Sequence, residues 1–500
     1  MRLRIAEIVE ACGGKLLCGN PNMVVRSFFT DSRKVDPSGM FVPIKGARVD
    51  AHRMIDQIFR QGAVASFTQH ELPPRGDTGA LIYVKNNRLA LQQAAAYYRK
   101  RFTIPVIGVT GSVGKTTVKE MMAATLSAQR TVLKTAGNQN SQVGVPITVC
   151  NLKRAHEAAV VEMGISLAGE MTALADVVRP TYAVITNIGQ AHLEFLKTQE
   201  NILAEKLKIA KDLPAEGILF VNGDDPLLAP LRQQDLGYQV RTFGLSPDCD
   251  FYAAGVRQVG TGTFFTFCQQ EGDPWATNNA EVFLPITGDH NVRNAMAALA
   301  VAKTLGLEAE AAFRALGTFK MPEMRQEVHK LSHGIVLIDD SYNASPESMT
   351  AAVDILTGGQ WGFSNEFPQR RRRSIAVLGD MLELGHRGPA AHYQLGLYAA
   401  KSGVDCLVGV GELSMDMCRG FAETKGLSCE INPRKMENTL YPDVLYWTDN
   451  APSALLLLNR ISQDGDIVLV KGSRGVGMDI IPKRMRNIPI RNRMKLKSKK

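Results

Sequence analysis

One stretch constrains the fold more than any other. The apolar, β-branched run from Ile104 to Thr110 breaks into Gly111-Ser112-Val113-Gly114-Lys115-Thr116-Thr117, and a helical pattern, Val118 to Ser127, follows at once. Strand, glycine turn and helix start in that order gather backbone N–H groups around one point, where an anion is favoured. Lys115 can reach over that point and the Thr116 hydroxyl can ligate Mg²⁺, which makes the expected anion a nucleotide polyphosphate. The strict nucleotide pattern has a glycine where Val109 stands, so this is a shortened loop with glycines at 111 and 114. A chance glycine turn is the bland alternative, and it does not call for the lysine or the paired threonines. The chain is expected to bind a nucleoside triphosphate.

Five hundred residues exceed what one core usually supports and suggest two to four domains. Apolar and charged content are ordinary for a globular protein. No run approaches the apolar length that a membrane span needs. The first ten residues carry Glu7 and Glu10 where a signal peptide would have its apolar centre, and they read as an amphipathic helix. Eight cysteines occur singly, without a Cys-x-x-Cys pair, which argues against a zinc site and for reduced thiols in a cytoplasm. The net charge of +9 belongs to one end: nine basic residues and no acid lie in 481–500, and without them 49 basic residues face 49 acidic ones. That tail reads as a solvated, disordered end. The alternative is a weak contact with anionic lipid or another polyanion. Neither stable membrane insertion nor a nucleic-acid partner is expected, and the protein is taken as a monomer.

Four segments emerge. Residues 1–102 alternate short apolar runs (40–44, 63–67, 80–84) with helical patterns, around a linker-like Pro73-Pro74-Arg75-Gly76-Asp77. Residues 103–318 alternate strands (158–162, 182–186, 218–222) with helices, the pattern of a parallel sheet wrapped by helices, with a β excursion at 251–286. Residues 319–482 repeat the alternation, with strands at 335–339, 374–378, 406–410 and 467–470, and form a second α/β domain. A polar loop, 361–373, interrupts that domain and ends in four arginines; it reads as a surface insertion. Residues 483–500 are the basic tail.

Beyond the loop, Glu162 ends an apolar strand, where open α/β sheets bind ligands, and can hold Mg²⁺ directly or through water. Thr186-Asn187-Ile188-Gly189-Gln190-Ala191-His192 repeats that geometry, a strand end followed by a polar loop. Lys206 falls at the centre of an apolar helix face with Ile202, Leu203, Ile209, Ala210 and Leu213. It either snorkels its tip to water or is buried, nucleophilic enough to take up CO₂ as a carbamate. Asp289 reads as an N-cap, with His290 and Asn294 four apart on the following helix. Asp339-Asp340-Ser341-Tyr342-Asn343-Ala344-Ser345-Pro346 gathers acids, a ring and an amide in one turn, suited to a ribose and base or to a metal.

Together these segments resemble the Mur ligases, ATP-dependent amide-forming enzymes that build the peptidoglycan stem peptide, over nearly the whole chain up to the tail. Gly137-Asn138-Gln139-Asn140-Ser141-Gln142-Val143-Gly144-Val145-Pro146, Asp339 to Pro346, Gly379 to Gly385 and Lys471 to Gly475 are similar to the members that join D-alanyl-D-alanine to UDP-N-acetylmuramoyl-tripeptide. The resemblance implies a three-domain α/β architecture: a UDP-sugar-binding N-terminal domain, a central P-loop ATPase domain and a Rossmann-like C-terminal domain. It implies that Gly111 to Thr117 hold ATP, with Thr116, Glu162, His192 and a carbamylated Lys206 placing two Mg²⁺ ions. His290, Asn291 and Asn294 would contact the nucleotide, while Arg325, Asp340, Tyr342 and Asn343 would close over it. Thr30, Asp31, Ser32, Arg33 and Gly46 would grip the UDP-sugar, and Asn138, Asn140 and Ser141 would line the peptide's path. Lys115, Lys206, His192, His290 and Arg325 are the implied catalytic set, either histidine being a candidate to accept the amine proton. Val113, Ser141, Met324 and Lys208 depart from residues frequent in the family. The alternatives are a sibling ligase adding one amino acid, or an NTPase switch without ligation.

Overall fold

A computed structural model describes the chain except at residues 47–48, 72–78, 271–274, 276–280, 359–360, 362, 365–366, 433 and 488–500. The linker-like 73–77 and the tail beyond 487 therefore lie outside the described residues.

The strand Val106–Thr110 is buried along its whole length, as a continuous apolar run predicts for a central strand covered on both faces. It pairs in parallel with Ala158–Glu162 and Tyr182–Ile185, with Glu162 opposite Val109 and Ile185 opposite Thr110. Three strand ends are thus level, and the loops that follow them share one rim. Among the described residues this sheet has nine strands, and the stretch read as a β excursion supplies its far edge. Phe251–Val259 joins in parallel, then Gly262–Gln269 and Glu281–Leu284 add antiparallel arms.

The C-terminal domain is a seven-stranded sheet, parallel at its centre (Val336–Asp340, Ile467–Lys471, Ser374–Gly379, Cys406–Val410, Leu445–Thr448) and antiparallel at both edges. The N-terminal sheet has five strands, parallel except for its first, Lys15–Cys18.

No linker separates the first two domains. The helix Asn87–Arg99 packs on the helices Gly144–Cys150 and Glu170–Val178, and one apolar core runs from Leu3 and Phe67 through Leu91 to Val161 and Met171. Arg99 is buried in that junction, donating to the carbonyls of Val178 (2.8 Å), Phe102 (2.6 Å) and Arg179 (3.1 Å); burial lowers its pKa to about 10.

Three expectations need correction. The last described helix, Ile480–Asn487, takes in residues 483–487 and buries Ile481 and Met485, so the tail cannot begin at 483. Within 361–373, Phe363–Ser364 pairs antiparallel with Phe367–Arg371, so this stretch holds strands and is not all loop. Asp289 does not cap its helix: it is the first helical residue of Asp289–Thr304, and Gly288 precedes it at φ 101°. Among the described residues no helix is long and apolar enough to cross a membrane.

Candidate functional site

A cleft of about 560 Å³ opens where the level strand ends of the central sheet face the C-terminal domain. The glycine loop forms its floor. Gly111 has φ 147°, and a Cβ there would lie 1.9 Å from Thr186 Oγ1, so only glycine lets the two strand ends approach. Gly114, at φ 82°, leads into the helix Lys115–Ser127, whose first amides have no partner within the helix. The loop is held from the neighbouring strand end: Asn187 Oδ1 accepts from Ser112 N (3.0 Å) and Val113 N (2.8 Å). Lys115 Nζ folds back onto the carbonyls of Gly111 (2.7 Å) and Ser112 (3.1 Å). Burial, with Arg325 nearby and Glu162 opposing, lowers its pKa to about 8.

Glu162 lies at the centre. Its Oε1 accepts from Thr116 Oγ1 at 3.0 Å and from Asn140 Nδ2 at 2.7 Å. Its Oε2 is buried without a hydrogen-bond partner among the described residues, 4.0 Å from Lys119 Nζ. A buried carboxylate oxygen without a donor, beside a threonine hydroxyl, is an oxygen donor set that fits Mg²⁺. Lys119, fully buried, donates to the Thr135 carbonyl at 3.0 Å and pairs with Glu120 at 2.6 Å, underpinning both Glu162 and the loop that carries Asn140.

Lys206 is buried beneath the loop rather than snorkelling, and its Nζ donates to the Gly111 carbonyl at 3.0 Å. Burial and the neighbouring Lys115 push its pKa well down. A neutral amine is what CO₂ uptake requires.

The C-terminal domain meets the central domain through Arg325, Glu347 and Glu383, and Asp340, Tyr342, Asn343 and Lys471 line its side of the cleft. Arg325 donates to Thr116 Oγ1 at 3.1 Å, and its guanidinium stacks 4.1 Å from the Tyr342 ring. Asp340, in register with Lys471, accepts from its Nζ at 2.6 Å, and that ammonium also reaches the Asn343 carbonyl at 3.0 Å. Glu347, at the start of the helix Pro346–Thr357, accepts from Gln190 N at 2.7 Å, and a Cβ on Gly189 would lie 2.8 Å from its carboxyl carbon. His192 Nδ1 lies 2.6 Å from Glu383 Oε2, and this partner lowers the Glu383 pKa.

Of the residues read from sequence, Ser112 to Thr116, Asn140, Ser141, Glu162, His192, Arg325, Asp340, Tyr342 and Asn343 share the cleft wall. Gly111, Thr117 and Lys206 lie beneath it. His290, Asn291 and Asn294 are not on the wall: Asn291 is tied to the Thr287 carbonyl (2.8 Å) and to Gln326 Oε1 (2.7 Å), and Asn294 backs Gly114. Burial lowers the His290 pKa. Asn138 also misses the wall. Thr30 to Arg33 and Gly46 sit apart in the N-terminal domain, where Asp31 holds Arg33 through two 2.9 Å bonds and its pKa falls to about 2. Sequence reading missed Arg88, Glu170 and Glu347. Nothing local marks them, because each gains its meaning from a segment distant in the chain.

Residues 109–302 match the Mur ligase middle domain, and 324–474 match the Mur ligase glutamate ligase domain. The chain is 34% identical over 489 residues to the UDP-N-acetylmuramoyl-tripeptide–D-alanyl-D-alanine ligase of Bacillus subtilis, covering 97% of this chain and 99% of that protein. It is 35% identical over 413 residues to the ligase of the same name from Escherichia coli, covering 82% and 86%. Its fold superposes on MurF from Acinetobacter baumannii with a TM-score of 0.83 at 28% identity, covering 98% and 99% of the two chains. On MurF ligase from Thermotoga maritima in complex with ADP the TM-score is 0.75 at 27% identity, covering 93% and 97%.

Proposed function

We propose that this chain, which belongs to the Mur ligase family, joins D-alanyl-D-alanine to UDP-N-acetylmuramoyl-tripeptide with ATP, forming the pentapeptide precursor, ADP and phosphate. The observation that carries the reading is the meeting of Thr116, Asn140, Glu162 and Arg325 in one cleft between the glycine loop and the C-terminal domain.

A peptide carboxylate is a poor acyl donor. Its oxygen attacks the γ-phosphorus of ATP, ADP leaves, and the acyl phosphate that results can be attacked by an amine. Lys115 and Arg325 neutralise charge on the transferring group, the loop amides hold the phosphates, and Asn140 orients Glu162. Mg²⁺, held by Thr116 and Glu162, supplies further charge neutralisation at the phosphates. Lys206 supports this set as a carbamate: the neutral amine nitrogen bonds to the carbon of CO₂ and gives up one proton to solvent, turning a buried amine into a carboxylate-like anion.

In the second step the dipeptide amine attacks the acyl carbon, and phosphate departs with the electrons of the broken C–O bond. The amine must shed a proton. His192 lines the cleft and His290 does not, so His192 is the histidine placed to accept it, with Glu383 against its ring. Closure by Arg325 and Glu347, which reach Thr116 and Gln190 of the central domain, keeps water from the acyl phosphate.

Phosphate release from ATP with UDP-N-acetylmuramoyl-tripeptide, measured with and without D-alanyl-D-alanine, tests the reading. Release that needs both substrates, with a pentapeptide product by mass, is expected. Release indifferent to the dipeptide would overturn it.

A further inference from the structure

One cation on the cleft wall has no part in this chemistry. Arg88, the second residue of the helix Asn87–Arg99, is exposed into the cleft and makes no ion pair or hydrogen bond among the described residues. The other basic side chains there are engaged: Lys115 by the loop carbonyls, Arg325 by Thr116, Lys471 by Asp340, and Arg474 against Met324 Sδ.

The backbone that carries Arg88 is fixed on both sides. Asn87 donates to the Pro43 carbonyl at 2.7 Å, and its amide nitrogen lies 2.9 Å from His52 Nε2. Gln92, one turn on and on the same helix face, donates to the Gln142 carbonyl at 3.1 Å and to Gln142 Oε1 at 2.8 Å. Gln142 donates in turn to the Glu170 carbonyl at 2.9 Å. Glu170 lines the same cleft; its Oε2 accepts from Ser166 N (2.8 Å) and Leu167 N (3.0 Å), and its Oε1 has no hydrogen bond among the described residues. A short chain of hydrogen bonds therefore ties the start of the Arg88 helix to the backbone of Glu170, and sets a guanidinium and a carboxylate oxygen, both without partners among the described residues, in the cleft that Asn140 and Ser141 also line.

We propose that Arg88 and Glu170 together recognise the side chain of the stem peptide's third residue, and that the residue they fit is a diamino dicarboxylic acid. Arg88 pairs with the carboxylate at the end of that side chain, and Glu170 with the ammonium beside it. A lysine would bring the ammonium alone and leave Arg88 unpaired, a mismatch that lowers affinity without blocking the reaction. This deepens the ligase reading and rests on it.

The test is steady-state kinetics of the full chain with two UDP-N-acetylmuramoyl-tripeptides, one ending in diaminopimelate and one in lysine. Calorimetric Kd values measured without ATP run alongside. The wild-type protein should favour the dicarboxylate peptide by about tenfold or more, and Arg88→Met should raise its KM and Kd by a similar factor. The lysine peptide and ATP should change by less than about twofold, and Arg88→Lys should recover part of the preference. Equal use of both peptides overturns the assignment, as does an unchanged KM in Arg88→Met. So does an equal rise for both peptides, the mark of a carboxylate common to the two. Absence of dipeptide-dependent phosphate release with either peptide is a different result: there the ligase reading itself fails.

Discussion

At the scale of single residues, Lys206 and Lys115 show how burial sets chemistry. Lys206 was legible in the sequence because a helical period placed a cation among Ile202, Leu203 and Ile209; its contact with the Gly111 carbonyl was not, since that spans 95 positions. With labelled bicarbonate the wild-type protein should give a carbamate ¹³C signal that Lys206→Ala lacks, and that variant should lose nearly all ligation, with bicarbonate restoring none. A signal that survives in Lys206→Ala would assign the carbamate elsewhere. In CO₂-free buffer, Lys206→Met should melt higher than the wild type. The folded pKa lies below the unfolded one, so burial is a penalty that fades as pH climbs towards 10.5. The advantage of Lys206→Met should therefore be larger at pH 6 than at pH 10, and the reverse order would refute a buried amine. Lys115 carries the second prediction. With its pKa lowered to about 8, the free enzyme loses this ammonium above that pH, so kcat/KM for ATP should decline as pH rises through 8. A flat profile to pH 9.5 would mean that Lys115 stays charged.

Among the elements, strands were read best. Ala158–Glu162, Ile218–Asn222 and Cys406–Val410 begin and end where the sequence pattern places them, because a buried parallel strand is a continuous apolar run closed by polar residues. Less legible were contacts between elements. Arg88 looks like any charged residue in a helix's first turn, and Glu347 like a favourable acid at a helix start. Tertiary structure gives each its second meaning. Glu347 ties the helix Pro346–Thr357 to the loop after Tyr182–Ile185, and Gly189 of that loop donates to Ser112 Oγ at 2.8 Å. Removing the carboxylate loosens the C-terminal domain from the nucleotide loop while leaving that loop's own residues unchanged. Glu347→Ala should cost on the order of 1–2 kcal/mol of closure, read as roughly a tenfold rise in KM for ATP. An unchanged KM for ATP would make the contact incidental.

For the whole molecule, the sequence set out three α/β units but not their union. The core shared by the N-terminal and central domains rests on helix-to-helix packing that no local pattern announces. The basic end also changes meaning at this scale. Residues 483–487 are helical and Met485 is buried, so a truncation meant to isolate the tail must keep residue 487. Full-length and 1–487 protein should co-sediment equally with anionic vesicles at physiological salt if the tail is only solvated. Retention of the full-length protein alone would instead make it a surface anchor.

The nucleotide loop is already occupied by the protein's own groups. Asn187 Oδ1 stands where a phosphate oxygen would accept from two amides, and the Lys115 ammonium rests on two carbonyls. Nucleotide arrival is therefore an exchange of partners rather than the filling of a vacancy. Binding trades these internal bonds for bonds to phosphate, so the gain in affinity must come from the charge of the polyphosphate.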